Sequence, residues 1–160
     1  MCVISQFKEG GALDTSYELI RLRLDDSHSV LVLSERSSGG CTFFDEMARD
    51  KNRRNEAVAL RKALIRILDG GLEWGFTSET IWLLRGMPHD VLVCEVRVKR
   101  KLYRIMCYLH DKYHGPLVLL FDFPAHELKI PGGISKANRD KALRLSRIAQ
   151  QLVSNEPELN

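Results

Sequence analysis

The first half of the chain alternates polar and apolar positions and then changes to a helical spacing. Tyr17 to Leu24 and Ser29 to Ser34 have the pattern of two short strands around a polar turn, and a Ser-Ser-Gly-Gly stretch follows them. From Thr42 onward apolar residues recur every three or four positions in two stretches, which predicts two helices packed as a hairpin. Gly70 and Gly71 are predicted to end the second helix, because glycine readily adopts the positive φ of a helix C-terminus.

The second half predicts three antiparallel strands and a final helix. Val91 to Val98 and Leu102 to Leu109 read as a hairpin, and Leu117 to Phe123 is apolar on both faces, as in a central strand covered on each side. The buried stripe of the final helix is predicted to consist of Ala142, Leu145, Ala149 and Leu152. The order of elements therefore predicts a compact α+β domain with its helices on one face of the sheet.

Composition points to one globular domain. The chain has 160 residues, of which 44% are hydrophobic and 28% are charged, and this excludes disorder, collagen and a pure coiled coil. Cys2, Cys41, Cys94 and Cys107 lie far apart without a CxxC motif or a secretory leader, so we expect thiols in a reducing cytoplasm. No apolar run approaches the roughly 20 residues of a membrane-spanning helix, and we expect no membrane segment.

The modest net charge of +3 hides an uneven distribution. Residues 1–40 carry four Lys and Arg against six Asp and Glu, a net −2. Residues 91–112 carry six against two, and residues 134–153 carry five against one, so each of these segments has a net +4. The positive charge is therefore concentrated in the second half of the chain.

Five blocks of the sequence, taken in order, resemble the RelE/HigB superfamily of bacterial and phage toxins, and most of all its phage-derived HigB-like branch. The blocks are VLVLSERSSGGCTFFDEMARD (30–50), ALRKALIRILDGGLEWG (59–75), LLRGMPHDVLVCEVRV (83–98), KLYRIMCYL (101–109) and LFDFPAHELKIPGGISKA (120–137). The resemblance implies a RelE-like small antiparallel β-sheet with an N-terminal helical hairpin and a C-terminal helix over residues 29–153. Residues 1–28 are then an N-terminal extension with a strand, and residues 154–160 are a disordered tail.

Members of this superfamily typically cleave messenger RNA, many of them at the ribosome, and are held inactive by a cognate antitoxin. The resemblance therefore implies an mRNA interferase whose partners are mRNA, the ribosome and an antitoxin of the helix-turn-helix class. In that reaction a ribose 2′-hydroxyl attacks its own 3′ phosphate and expels the 5′ oxygen. The reaction needs a general base, cations on the phosphate and an acid for the leaving oxygen, and we expect no cofactor and no metal.

Arg104 stands at the family's Tyr-Arg position and is the best candidate for a phosphate clamp, because a guanidinium donates bidentately to phosphate oxygens. A salt bridge across the strands to Glu95 is the alternative. Arg97 could support the phosphate or hold Glu95. A structural role is favoured for Glu95, since neighbouring arginines keep a carboxylate ionised and make it a poor base. Tyr103, on the opposite strand face, is predicted to pack in the core.

Ala125 and His126 stand where the family has paired lysines. An imidazole with an ordinary pKa of about 6.5 can accept or donate a proton near neutrality, so His126 is a candidate acid or base, and an exposed loop histidine is the alternative. Lys129 fits either a phosphate contact or a solvated lysine. Further RNA contacts are predicted at Lys99, Arg100, Lys101, Lys136 and Arg139.

Three observations keep other interpretations open. His110 and His114 have a spacing that could hold a metal, but Gly115 and Pro116 follow at once and metal binding is disfavoured. Cys94 and Cys107 share their strand faces with apolar residues and are predicted to be buried thiols. The missing lysine pair and the acidic front segment favour an alternative function on the same fold, a catalytically silent protein-binding module of a phage or mobile element.

Overall fold

A computed structural model describes residues 7–8, 11–12, 15–78, 80–84, 86–98, 101–111, 115–124 and 134–156, with the backbone alone at residues 7–8, 11–12, 96–98, 101 and 124. The strands are β1 (Phe7–Lys8), β2 (Gly11–Ala12), β3 (Tyr17–Arg23), β4 (Ser29–Glu35), β5 (Ile81–Leu83), β6 (Val91–Val98), β7 (Lys101–Leu109) and β8 (Leu117–Pro124). The α-helices are α1 (Phe43–Arg49), α2 (Arg54–Thr77) and α3 (Lys136–Ser154), and a short 3₁₀ turn covers Arg36–Ser38.

Six of the strands form one mostly antiparallel sheet in the order β3-β4-β8-β7-β6-β5, while β1 and β2 pair separately. The exception to the antiparallel pattern is β4, which runs parallel to β8 and pairs Leu31 with Val118 and Val32 with Leu119. The predicted α+β class is confirmed. The strand β3 of the predicted N-terminal extension pairs along its length with β4 and so forms one edge of this sheet.

The helices lie on both faces of the sheet. The side chains of β6 alternate between two buried clusters: Val91 and Val93 pack with α3, whereas Leu92 and Cys94 pack with α1 and α2. The expectation that all helices share one face is therefore wrong. The physical reason is that the central strands are apolar on both sides, so a single helical layer would leave one side in water.

Helices α1 and α3 begin at residues whose side chains cap them. The Thr42 hydroxyl accepts a hydrogen bond from the backbone N–H of Asp45, and the Asp45 carboxylate accepts one from the backbone N–H of Thr42. Ser135 caps α3 in the same way, accepting from the backbone N–H of Asn138 at 3.2 Å. The four predicted stripe residues of α3 are all buried, which confirms the face that this helix presents to the core.

The prediction that Gly70 and Gly71 end the second helix is only half correct. Gly71 has φ 77° and ψ 174°, which breaks the helix as expected, but the chain resumes a helical path to Thr77. The resumed segment is held by Leu72 and Phe76, which pack against the α2 side of the core. Gly75 then allows a close approach to β5, because an added Cβ would lie 2.6 Å from Cδ1 of Ile81.

Candidate functional site

Arg104 and Glu95 form the centre of the candidate site, on the α3 face of the sheet. They are register partners on β7 and β6, and Arg104 Nε donates to Glu95 Oε2 at 2.8 Å. Their side chains are 13% and 23% exposed, so the ion pair is largely shielded from water. The salt bridge to Glu95, which was the alternative to a phosphate clamp at Arg104, is therefore present, and it restricts where the guanidinium can point.

Trp82 makes a second contact with the Arg104 guanidinium. The guanidinium carbon lies 5.7 Å from the centroid of the Trp82 ring, which is within the range of a cation–π contact. Trp82 is half-buried in the middle of β5 and pairs with Val93 of β6. Sequence reasoning missed this residue because β5 is only three residues long. The available signal was the short apolar run Ile-Trp-Leu ahead of Gly86.

An open groove of about 530 Å³ runs past these side chains. Its lining consists of Phe76, Ile81, Trp82, Leu83, Glu95 and Arg104. Leu83 is 42% exposed on the outer strand of the sheet. The groove thus combines one fixed guanidinium with aromatic surface. A guanidinium suits phosphate oxygens, and an aromatic ring suits the face of an unstacked base.

Only part of the predicted site falls on described side chains. Arg97 and Lys101 belong to β6 and β7, where their register partners are Leu102 and Val98, but their side chains lie outside the described part of the chain. Four further predicted residues lie outside the described residues altogether: Lys99, Arg100, His126 and Lys129.

Arg104 lies close to the ends of two strand pairings, β7 with β8 and β6 with β7. Arg104 pairs with Phe123, and the neighbouring pair, Tyr103 with Pro124, is the last of β8 before residues 125–133. On the other side, the β6–β7 hairpin closes at the pair of Val98 with Lys101. The backbone topology therefore brings Arg104 near the points where residues 99–100 and 125–133, which contain the four predicted residues outside the described part, leave the sheet.

Lys136 and Arg139, the two remaining predicted RNA contacts, lie in the first turns of α3. Lys136 is exposed, and its Nζ donates to Asp140 Oδ2 at 2.9 Å, a surface ion pair that solvent screens. Arg139 is half-buried beside the loop of Gly86, where an added Cβ would lie 4.0 Å from Nη1 of Arg139. These two cations are therefore in different environments although they are three residues apart.

A second polar cluster lies on the opposite face of the same sheet end. Arg53 Nη2 donates to Asp122 Oδ2 at 3.2 Å, and Arg53 Nε donates to Glu56 Oε2 at 3.4 Å. The Arg53 guanidinium also lies 5.8 Å from the Tyr103 ring centroid. Burial and the hydrogen bond to Glu56 raise the pKa of the Tyr103 hydroxyl. Tyr103 packs against the α2-side core as predicted, and this cluster fixes the start of α2 on the sheet.

The cysteines and histidines considered above as buried thiols or metal ligands are described in part. Cys94 and Cys107 are buried as predicted, and burial raises the pKa of the Cys94 thiol to about 12. His110 Nδ1 lies 2.8 Å from the Tyr108 hydroxyl, while His114 is outside the described residues. Within the described ranges, no group of three His, Cys, Asp or Glu side chains is placed to hold a metal ion.

Comparison with known proteins finds no matching family model, no matching curated protein and no matching solved structure. No helix in the described part of the chain combines the length and the apolar character needed to cross a membrane.

Proposed function

We propose that this protein is the toxin of a toxin–antitoxin system, an endoribonuclease that cuts mRNA during translation, with Arg104 as the residue that binds the scissile phosphate. The observation that carries the proposal is the position of Arg104 beside Trp82 in an open groove. A guanidinium held by Glu95 is already oriented, so little side-chain entropy is lost when it binds a phosphate. The sequence resemblance to RelE/HigB toxins supports the same assignment.

In the proposed reaction the ribose 2′-oxygen forms a bond to the adjacent phosphorus, and the bond from phosphorus to the 5′-oxygen breaks. The products are a 2′,3′-cyclic phosphate and a 5′-hydroxyl, so the proton lost by the 2′-hydroxyl is balanced by the one gained at the leaving oxygen. Arg104 stabilises the charge on the phosphate, with Arg97 and Lys129 as further cations. His126 is proposed as the acid or base. The proposal places the protein in the cytoplasm, with its antitoxin as partner.

The route of the RNA is proposed to follow two basic segments, one of which contains Arg104. Residues 91–112 and 134–153 each carry a net +4, and Arg104 lies on β7, which begins at Lys101 where the hairpin of the first segment closes. Contacts of this kind release counterions from the RNA, so binding should weaken steeply as salt is raised. Trp82 supplies the surface on which a base can stack.

The test is controlled expression in a bacterium, with growth, translation and RNA integrity as readouts. The parent protein should stop translation and yield transcripts with new 5′-hydroxyl ends. Arg104→Gln should abolish cleavage, whereas Arg66→Gln, which removes an exposed arginine from α2, should leave it unchanged. Normal growth and intact transcripts at high expression of the parent would refute the proposal. Equal activity of the parent and Arg104→Gln would refute this site.

A second candidate function is a catalytically silent protein-binding module on the same fold. It is favoured by the ion pair itself, since an arginine bonded to a carboxylate across two strands is also a common structural element. Exposed Leu83 and Trp74, at 42% and 37%, would then form the contact surface near the sheet edge. This alternative predicts no RNA cleavage by the parent and a stable complex with a protein encoded nearby.

A further inference from the structure

A cavity of about 320 Å³ lies at the end of the sheet remote from Arg104. Leu109, the last residue of β7, and Leu117, the first residue of β8, both contribute to its lining, whereas Arg104 pairs with Phe123 near the other end of these strands. Pro116 and Gly115 close one side. The cavity is therefore separate from the groove proposed to bind RNA.

The cavity arises from two local features of the fold. The parallel pairing of β4 with β8 begins at Leu31 with Val118. The residues that precede Leu31 and Val118 in the two strands are therefore not held together by this pairing. The break at Gly71 interrupts α2 beside this point, and Leu68, on the last turn before the break, is 36% exposed. The helix and the sheet end consequently leave a gap between them.

The gap is held in shape by His28, which joins the β3–β4 turn to α2. Its Nδ1 lies 2.9 Å from Asp25 Oδ1, and its Nε2 lies 2.5 Å from Asp69 Oδ1. His28 directly precedes Ser29, and Asp69 directly follows Leu68, and both of these neighbours line the cavity. The contacts of His28 thus hold the β3–β4 turn against α2 at the edge of the cavity, as expected of a preformed binding site.

Most of the lining residues are apolar, and the polar side chains among them belong to Arg21 and Ser29. The larger apolar residues of the lining are Val30, Leu31, Ile67, Leu68, Leu72, Leu109 and Leu117. Arg21 is the charged residue among the described lining residues, and its Nη1 donates to Ser29 Oγ at 3.0 Å. An apolar wall with a single guanidinium is complementary to a molecule with a hydrocarbon chain and one negative charge.

We propose that this cavity binds a small amphipathic anion, with its hydrocarbon chain against α2 and its carboxylate on Arg21. Arg21 pairs with Leu31, whose side chain packs with α3, so the ligand would pass the end of the sheet to reach the guanidinium. A carboxylate matches the planar fork of a guanidinium, and the alkyl chain would cover the exposed part of Leu68. The volume is at the lower end of the roughly 300–1,000 Å³ of small-molecule sites, which favours one short chain over a two-chain lipid. The site is independent of the proposed RNA-cleaving function.

The experiment is calorimetric titration of the full chain with octanoate, 1-octanol and acetate. Octanoate should bind at one site, and both 1-octanol, which lacks the charge, and acetate, which lacks the chain, should bind at least about tenfold more weakly. Arg21→Gln should weaken octanoate binding about tenfold or more. Arg23→Gln is the matched control, because Arg23 is an exposed arginine of the same strand outside the lining, and it should leave the affinity unchanged.

A second variant, Leu68→Trp, fills the cavity from the helix side and should abolish octanoate binding while the unfolding midpoint stays near that of the parent. The proposal is overturned if octanoate does not bind, if Arg21→Gln and Arg23→Gln weaken binding equally, or if 1-octanol binds as tightly as octanoate.

Discussion

The ion pair of Arg104 with Glu95 should contribute to stability well beyond a typical surface pair. An exposed pair contributes about 0–1 kcal/mol, whereas removing one partner of a fully buried pair costs about 3–5 kcal/mol. With side chains 13% and 23% exposed and a 2.8 Å contact, this pair lies between those limits. We expect Glu95→Gln and Arg104→Gln each to lower the free energy of unfolding by about 2 kcal/mol, with a coupling energy of about 1.5 kcal/mol between them.

Urea-induced unfolding of the parent, the two single variants and the double variant forms a double-mutant cycle that measures this coupling. Lys136 and Asp140 supply the matched control, since they form an exposed pair four residues apart on α3, and their coupling should be about 0.3–0.5 kcal/mol. If the coupling of Arg104 with Glu95 is no larger than that of the control pair, the reasoning from burial is refuted.

The cycle also separates the two proposed roles of this pair. Glu95→Gln removes the orienting carboxylate but leaves the guanidinium, so it should reduce RNA cleavage less than Arg104→Gln at a similar loss of stability. Equal effects on cleavage would mean that Arg104 acts through the fold and does not contact the phosphate.

Three further predictions concern the rest of the described chain. Hydrogen bonds to Asp25 and Asp69 raise the pKa of His28, so the stabilising contribution of these contacts is complete below the ordinary pKa of about 6.5 and is lost as the pH rises through the raised value. Urea unfolding between about pH 6 and pH 9 should show this loss, and a His28→Gln variant with the same pH dependence would contradict it. Gly71→Ala should cost about 1–3 kcal/mol by thermal unfolding, because φ 77° with ψ 174° is a glycine conformation; an unchanged midpoint would argue against the bend. Cys94 should react with a thiol reagent only after unfolding, and reaction at equal rates in native and unfolded protein would show that it is accessible.

The local elements followed from the sequence because their signals are local. β6 has the predicted bounds, and the hairpin with β7 sets Glu95 opposite Arg104 as the alternation required. The predicted buried stripe of α3 also agrees with the structure, because helical spacing directly reports which side of a helix is covered.

The parts that were missed depend on contacts between distant segments. The side of the sheet on which α3 packs is set by tertiary packing, although the two-sided apolar character of β8 had already indicated cover on both faces. β5 is too short to show a period, and it is specified by its pairing with β6 and by the close approach of Gly75. Trp82 was missed for that reason, and with it the aromatic side of the candidate site.

The parallel pairing of β4 with β8 has a consequence for how the chain folds. Strands β5 to β8 form consecutive antiparallel neighbours and can assemble from local contacts, as can β3 with β4 and α1 with α2. In the sheet, the β3–β4 hairpin joins strands β5–β8 at the pair of Val32 with Leu119, two residues that are far apart in the sequence. A chain emerging from the ribosome cannot make this join until β8 has been synthesised. The pairing of β4 with β8 is therefore a late event in biosynthesis. Substitutions in this parallel pair should slow folding more than substitutions within β5–β8 or within the β3–β4 hairpin.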